Sequence, residues 1–324
     1  MNYNSSEGTM NGKKVIAVAG ATGAQGGGFV RAALADPESE FAVRALTRDP
    51  DAPAAKELAA LGAEVVRADF ADEASVRAAF EGAYGAFLVT NFWAHMSAAT
   101  ETAEAEVLVR AAKEAGLQHV VWSTLEDTRE LLPLTDERMP VLQGQYNVPH
   151  FDAKGAANRL FTDAGVPTTF LNTTYYFQGF LEGFAPKRAD DGVLTLTLPL
   201  EDGKLLAGVD AADIGRTALA LLKGGERYIG ETVSLAGDHL TGAQYAEKLS
   251  TVYGEPVRFQ SVPYDVFRSL GIPAGDEIGN MFQYYGDFER EFTGARDLDR
   301  LRELNPQLRS FDAWLAENAS KFSG

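Results

Sequence analysis

Three glycines at intervals of three, Gly20, Gly23 and Gly26, follow the apolar run Val15–Ala19 and open a segment of helical character. Between a strand and a helix, this G-x-x-G-x-x-G spacing suits phosphate binding. Gly20 permits the tight turn, Gly23 lets backbone approach a pyrophosphate, and Gly26 lets the new helix lie close on its strand. The N–H groups from Ala24 and Gln25 to Gly27 then face an anion, with Thr22 in the same turn, and the positive helix end adds to the attraction. A glycine turn that holds no ligand is the competing reading, and the spacing by itself leaves both open.

A cation stands where such a ligand would extend. About 20 residues beyond the last motif glycine, a doubly wound fold places the residue that meets the adenosine ribose. Here that count reaches Leu46, Thr47 and Arg48. An acid at this position binds a 2′-hydroxyl, whereas a cation accommodates a 2′-phosphate. No acid lies between Phe41 and Thr47, and Arg48 offers a bidentate guanidinium, with Lys56 at the start of the next helix as a second cation. NADP(H) is therefore expected in preference to NAD(H).

Strands and helices must alternate to position these groups, and the chain alternates from Lys14 to about Thr173. Strands are expected at 41–47, 63–70, 84–91 and 119–124, separated by helical segments at 54–62, 73–81 and 98–116. Continuous apolar strands between amphipathic helices predict an α/β fold, a Rossmann-type doubly wound parallel sheet covered on both faces. Ligands of such sheets sit beyond the strand C-terminal ends. Those ends bring forward Asp69 and Phe70, Thr90, Asn91 and Phe92, and Ser123 as cofactor-binding candidates. Residues 1–12 are expected to form a disordered leader, 13–173 the nucleotide-binding domain with an added strand near 232–237, and 174–324 a smaller α+β lobe.

Composition excludes several functions. The absence of cysteine removes disulfides and thiolate chemistry, and His95, His119, His150 and His239 show no metal-ligand spacing. A net charge of −17 argues against a direct nucleic-acid or anionic-membrane surface. No stretch approaches the roughly 20 apolar residues of a membrane span, and the polar start is unlike a secretory signal. A cytoplasmic protein is expected.

An aromatic turn and helix are expected after 167–173, where Tyr175, Tyr176 and Phe177 either join the core or wall a pocket. Residues 192–200 and 205–215 suggest a strand pair leading into a helix. Helices are expected from about Thr241 and over 311–319, with a strand at 257–262.

The segments GATGAQGG at 20–27, LTRDP at 46–50, GAEVVRADF at 62–70, VTNFW at 89–93, VVWSTL at 120–125 and HFDAKG at 150–155 together resemble the NmrA-like family, atypical members of the short-chain dehydrogenase/reductase superfamily. The similarity is greatest to the subgroup containing the human NADPH sensor HSCARG. It implies NADP binding through Gly20, Gly23, Ala24, Gln25, Gly26, Arg48 and Lys56, with Lys154 near the nicotinamide ribose. The superfamily carries Tyr-x-x-x-Lys at this point, and here the tyrosine is His150. An imidazole with an ordinary pKa of about 6.5 can donate a proton at neutral pH but reaches less far than a phenol. Catalytic candidates are thus Lys154, His150 and a Tyr176 hydroxyl. Family members include cofactor sensors that bind regulatory proteins and reductases of quinones or conjugated alkenes. A redox-responsive regulator with weak or no turnover is expected, and an NADPH-dependent reductase of a carbonyl, quinone or conjugated alkene is the alternative.

Overall fold

The computed structural model describes residues 9–10 and 12–322. Most of the expected leader lies outside the described residues. Thr9–Met10 (β1) pairs antiparallel with Lys13–Val18 (β2). The described residues fall into two compact units, the first within 1–127, 153–172 and 212–233, the second within 128–152, 173–211 and 234–324. Residues 128–152 group with the second unit and 212–231 with the first, unlike the expected division, while the strand expected near 232–237 joins the first unit's sheet as Thr232–Ser234.

The first unit is built on β2, Phe41–Thr47 (β3), Glu64–Arg67 (β4), Gly85–Leu88 (β5), His119–Thr124 (β6) and Thr168–Asn172 (β7). The order across the sheet is Thr232–Ser234, β7, β6, β5, β2, β3, β4, and the pairings from β7 to β4 are all parallel. Chain order runs outward both ways from β2, so the switch point falls between β2 and β5, where doubly wound sheets bind ligands. Helices Ala24–Ala35 (α1), Pro53–Ala60 (α2), Glu73–Phe80 (α3), Ala98–Glu114 (α4), Pro149–Ala164 (α5) and Ala211–Gly224 (α6) connect the strands or follow them. Asp72 caps α3 and Ser97 caps α4, each accepting an N–H of the first turn. β6 is buried along its whole length, with Trp122 against Phe161 of α5 at a centroid separation of 5.1 Å. On the other face of the sheet, Phe29 of α1 stacks on Phe87 at 5.7 Å.

Two glycines set how closely α1 meets α6. A Cβ on Gly28 would lie 2.3 Å from the Ala212 carbonyl oxygen, and one on Gly215 would lie 2.2 Å from the Gln25 carbonyl oxygen. Only glycine fits where backbone meets backbone at this distance.

His119 is a core histidine rather than a ligand. It is 1% exposed, its Nε2 lies 2.8 Å from the Thr169 hydroxyl, and burial pushes its pKa down from 6.5 to about 4. The unfolded chain takes up this proton before the folded one, so stability is lost as pH falls through that window and is kept above it. Thermal unfolding of His119→Gln is expected to be less acid-sensitive between pH 6.5 and 4 than that of the wild type, as read by scanning calorimetry at stepped pH.

The second unit carries two three-stranded sheets. Leu194–Leu198 lies between Val257–Ser261 and Lys187–Arg188, while Leu205–Val209 lies between Asp238–Thr241 and Tyr175–Tyr176. The expected pairing of 192–200 with 205–215 therefore does not form. Pro199 has no N–H and ends the first strand, whose Leu198 carbonyl accepts instead from the Val262 N–H. The aromatic stretch after β7 gives a short 3-10 turn, Phe177–Phe180, where a helix was expected. Tyr175, Phe180, Tyr245, Phe282, Phe311 and Trp314 are buried together with Phe177 as the core of this unit. Among the described residues, no helix is long and apolar enough to cross a membrane.

Candidate functional site

The glycine turn sits at the C-terminal end of β2, beside the switch point. Gly20 adopts φ +60°, and the Gly23 N–H closes the turn on the Gly20 carbonyl at 2.9 Å. Gly20, Thr22, Gly23 and Ala24 are exposed, whereas Gly26 is buried. α1 then begins with no side-chain cap and no acid in its first turn. The Gly27 N–H, expected from sequence at the anion, is instead taken by the Gly23 carbonyl at 2.8 Å, which confines the expected anion site to the turn and the helix start before it. Gln25 accepts from the Ser123 hydroxyl at 2.7 Å, which ties the first turn of α1 to the end of β6.

Arg48 lies exposed just past β3, and no ion pair or hydrogen bond fixes its guanidinium among the described residues. Thr47 is occupied locally, its hydroxyl accepting from the Asp49 N–H at 3.2 Å. Lys56, on α2, faces solvent beside Asp51 at 3.5 Å, an exposed pair of little energetic weight. Asp69 shapes the turn after β4, accepting from the Ala71 N–H at 3.1 Å, and Phe70 beside it is partly buried. Asn91 is exposed, while the Phe92 side chain is buried and packs on Trp93.

Lys154 is 8% exposed and engages the end of β5 and the start of α4. Its ammonium donates to the Thr90 carbonyl at 3.1 Å and the Thr90 hydroxyl at 2.7 Å, and pairs with Glu101 at 2.5 Å. Thr90 in turn donates its hydroxyl proton to the same Glu101 oxygen. Burial alone would raise the pKa of Glu101, but the Lys154 charge and its hydrogen bond, aided by Thr90 and His95, hold the carboxyl below its ordinary value. Glu104, one helical turn on, is pushed up to about 7 by burial and by the Glu101 charge.

Sequence spacing missed the approach of His95 to these acids. Its Nε2 lies 3.3 Å from Glu101 and 3.8 Å from Glu104. His95, Glu101 and Glu104 have the composition of a metal site. The imidazole argues otherwise: Nδ1 accepts from the Ser97 N–H at 3.2 Å, so in the neutral ring the hydrogen sits on Nε2, the atom that a metal would need. Glu101 itself left a signal in the sequence, because it occupies the buried stripe Ala98, Ala105, Leu108 and Ala112 of α4. A carboxylate on such a stripe requires a partner.

His150 belongs to the second unit and is 5% exposed. Its Nδ1 and its backbone N–H both meet the Glu277 carboxylate, and its ring lies edge-on to Phe151 at 4.8 Å. The imidazole is thus held as part of that unit's packing. Asp152 was not singled out in the sequence, yet it fastens the excursion before α5, accepting from the Thr128 N–H and the Asn147 N–H, each at 2.8 Å. Tyr176 is partly buried in the strand beside Leu205–Val209, with Val209 as its register partner.

A doubly wound sheet with an open glycine turn at its switch point defines a Rossmann-type protein of the NAD(P)-binding class. Within that class the chain belongs to the NmrA-like family, which it matches over residues 12–315. It is 32% identical over 287 residues to the NmrA-like family domain-containing oxidoreductase hkm9 of Aspergillus hancockii, covering 83% of this chain and 82% of that protein. The corresponding oxidoreductase ptmS of Penicillium ochrochloron is 27% identical over 340 residues, covering 94% and 97%. Among solved structures, the negative transcriptional regulator NmrA in complex with NADP aligns with a TM-score of 0.75 and 25% identity, covering 95% of this chain and 94% of that one. The Citrobacter sp. triphenylmethane reductase complexed with NADP(H) shares the fold, with a TM-score of 0.73, 20% identity and coverage of 94% and 99%. A regulator and a reductase thus share this architecture, and the fold does not choose between them.

Proposed function

We propose that this chain binds NADP(H) in its first unit and acts as a cofactor-responsive regulator with little or no turnover. The observation that carries the regulatory half is the state of Lys154, a buried ammonium already compensated by a buried carboxylate. A reductase of this superfamily uses its lysine charge to lower the pKa of a neighbouring proton donor. Compensated by Glu101, that charge acts weakly on anything else. Of the two proton-donor candidates, His150 is engaged by Glu277, and Tyr176 is partly buried in a strand of the second unit.

Cofactor binding draws its support from the uncapped start of α1, the exposed turn and the unpaired Arg48, together with the NADP complex of NmrA. The diphosphate would lie over Gly20–Gly26, the 2′-phosphate at Arg48 and the nicotinamide ribose near Lys154, with Ser123 and Asn91 along the crevice. A cytoplasmic location and a protein partner complete this reading, which the resemblance to the sensor subgroup supports. The competing reading, an NADPH-dependent reductase, is favoured by the oxidoreductase names of the relatives.

Oxidation of NADPH in the presence of a panel of quinones, aldehydes and conjugated enones separates the two. The expected result is no oxidation above the protein-free blank, with different protease protection under NADPH and NADP⁺. Oxidation at ordinary enzyme rates that disappears in Lys154→Ala would overturn the regulatory reading.

A further inference from the structure

We propose that Glu101 is a positioning residue of this site: it fixes the Lys154 ammonium at the point where the crevice meets the nicotinamide ribose, and it keeps that ammonium charged. The proposal rests on the cofactor reading above.

An ammonium has three N–H donors, and here all three have acceptors: the Thr90 carbonyl, the Thr90 hydroxyl and Glu101. The three residues form a closed ring, since Thr90 accepts from Lys154 and donates to Glu101. Trp122 covers one side, with its ring centroid 5.5 Å from the ammonium nitrogen. His95 stands behind Glu101, its Nε2 3.3 Å from the second carboxylate oxygen. Glu101 is 1% exposed, so this charge would not be buried without the lysine, nor the lysine without it. When a ribose hydroxyl arrives, the bond to give way is the one to the neutral Thr90 hydroxyl, because the charge-assisted bond to Glu101 is the stronger. Cofactor thus docks on a lysine whose place and charge are already set.

Glu101→Gln tests this, since it keeps the side-chain volume and one acceptor oxygen for Lys154 and Thr90 while removing the charge. Without its counter-ion the buried ammonium is disfavoured, and it deprotonates as pH rises. The NADPH affinity of Glu101→Gln is therefore expected to fall about tenfold from about pH 6 to about pH 9, while that of the wild type stays nearly flat. The other charged groups that face the cluster are Glu104 and His95 beside Glu101, and Arg48 and Asp69 at the strand ends; because the Glu101 charge helps to raise Glu104, the comparison is repeated in a Glu104→Gln background, where that group no longer titrates.

Two further variants keep the proposal exposed. Glu101→Asp retains the charge but shortens the reach, so it should weaken binding while leaving the pH profile flat. Glu101→Gln combined with Lys154→Met removes both charges, and should bind as weakly as Lys154→Met alone at every pH. A uniform loss in Glu101→Gln at all pH values, wild-type binding in that variant, or a pH-dependent loss in Glu101→Asp would each overturn the proposal. If Glu101→Gln does not fold, the profile of Glu101→Asp and the agreement of the double variant with Lys154→Met decide the matter. Absence of NADPH binding by the wild type would sink the cofactor reading itself, whereas wild-type binding with Lys154→Met unaffected sinks only the role given to the lysine and its carboxylate.

Discussion

Gly26→Ala is expected to lose NADPH binding and about 2 kcal/mol of stability, although alanine is the better helix former. The favourable side is a helix propensity gain of about 1 kcal/mol. Against it, the new Cβ would lie 2.3 Å from the Gly20 carbonyl oxygen, 2.6 Å from its carbon and 2.8 Å from the Ala21 Cα. All three are backbone atoms, so relief requires moving the turn itself. That turn holds Gly20 at φ +60° and carries the exposed N–H groups offered to the phosphates. Gly27→Ala is the control, because its nearest neighbour is the movable tip of Arg31 at 2.6 Å. Its cofactor affinity should stay close to that of the wild type. Equal NADPH affinity in Gly26→Ala and Gly27→Ala, measured with melting temperatures alongside, would show that the turn is not the phosphate cradle.

Arg48→Ala is expected to weaken NADPH by about tenfold to a hundredfold, the range set by hydrogen bonds to charged groups of about 1.5–3 kcal/mol. NADH should change by less than about twofold, since it has no 2′-phosphate for the guanidinium to meet. The loss should shrink at high salt, because Arg48 is exposed and its charge is screened. An equal loss for both cofactors would assign Arg48 to the diphosphate or to the fold.

Much of the first unit was legible because its signals are local. Glycine spacing, β-branched runs and helical periodicity state the order β2–α1–β3, and the count from Gly26 to Arg48 follows from that geometry. The expected strands at 41–47 and 119–124 coincide with β3 and β6. The second unit was less legible because its strands pair across long separations in sequence. Nothing within 192–215 shows that Leu194–Leu198 joins Val257–Ser261. Site chemistry divides in the same way. Arg48 stands at a counted position and Lys154 at the place of the superfamily's motif lysine, whereas the Glu277 carboxylate that holds His150 comes from 127 residues away. Gly28 and Gly215 were also missed as a pair, since each is an ordinary helical glycine until α1 and α6 are placed together. Glu101 was the recoverable omission: a charge on an apolar helical stripe signals a buried partner, and Lys154 was already in view.

The central claim is that the crevice beyond β2 holds a phosphorylated nicotinamide dinucleotide. Calorimetric titration of the wild-type chain with NADPH, NADP⁺, NADH and NAD⁺ tests it most directly. The predicted result is binding of both phosphorylated forms more tightly than their counterparts, with NADPH and NADP⁺ differing in affinity as a redox-responsive regulator requires. No heat with any of the four, or NADH bound as tightly as NADPH, would contradict it.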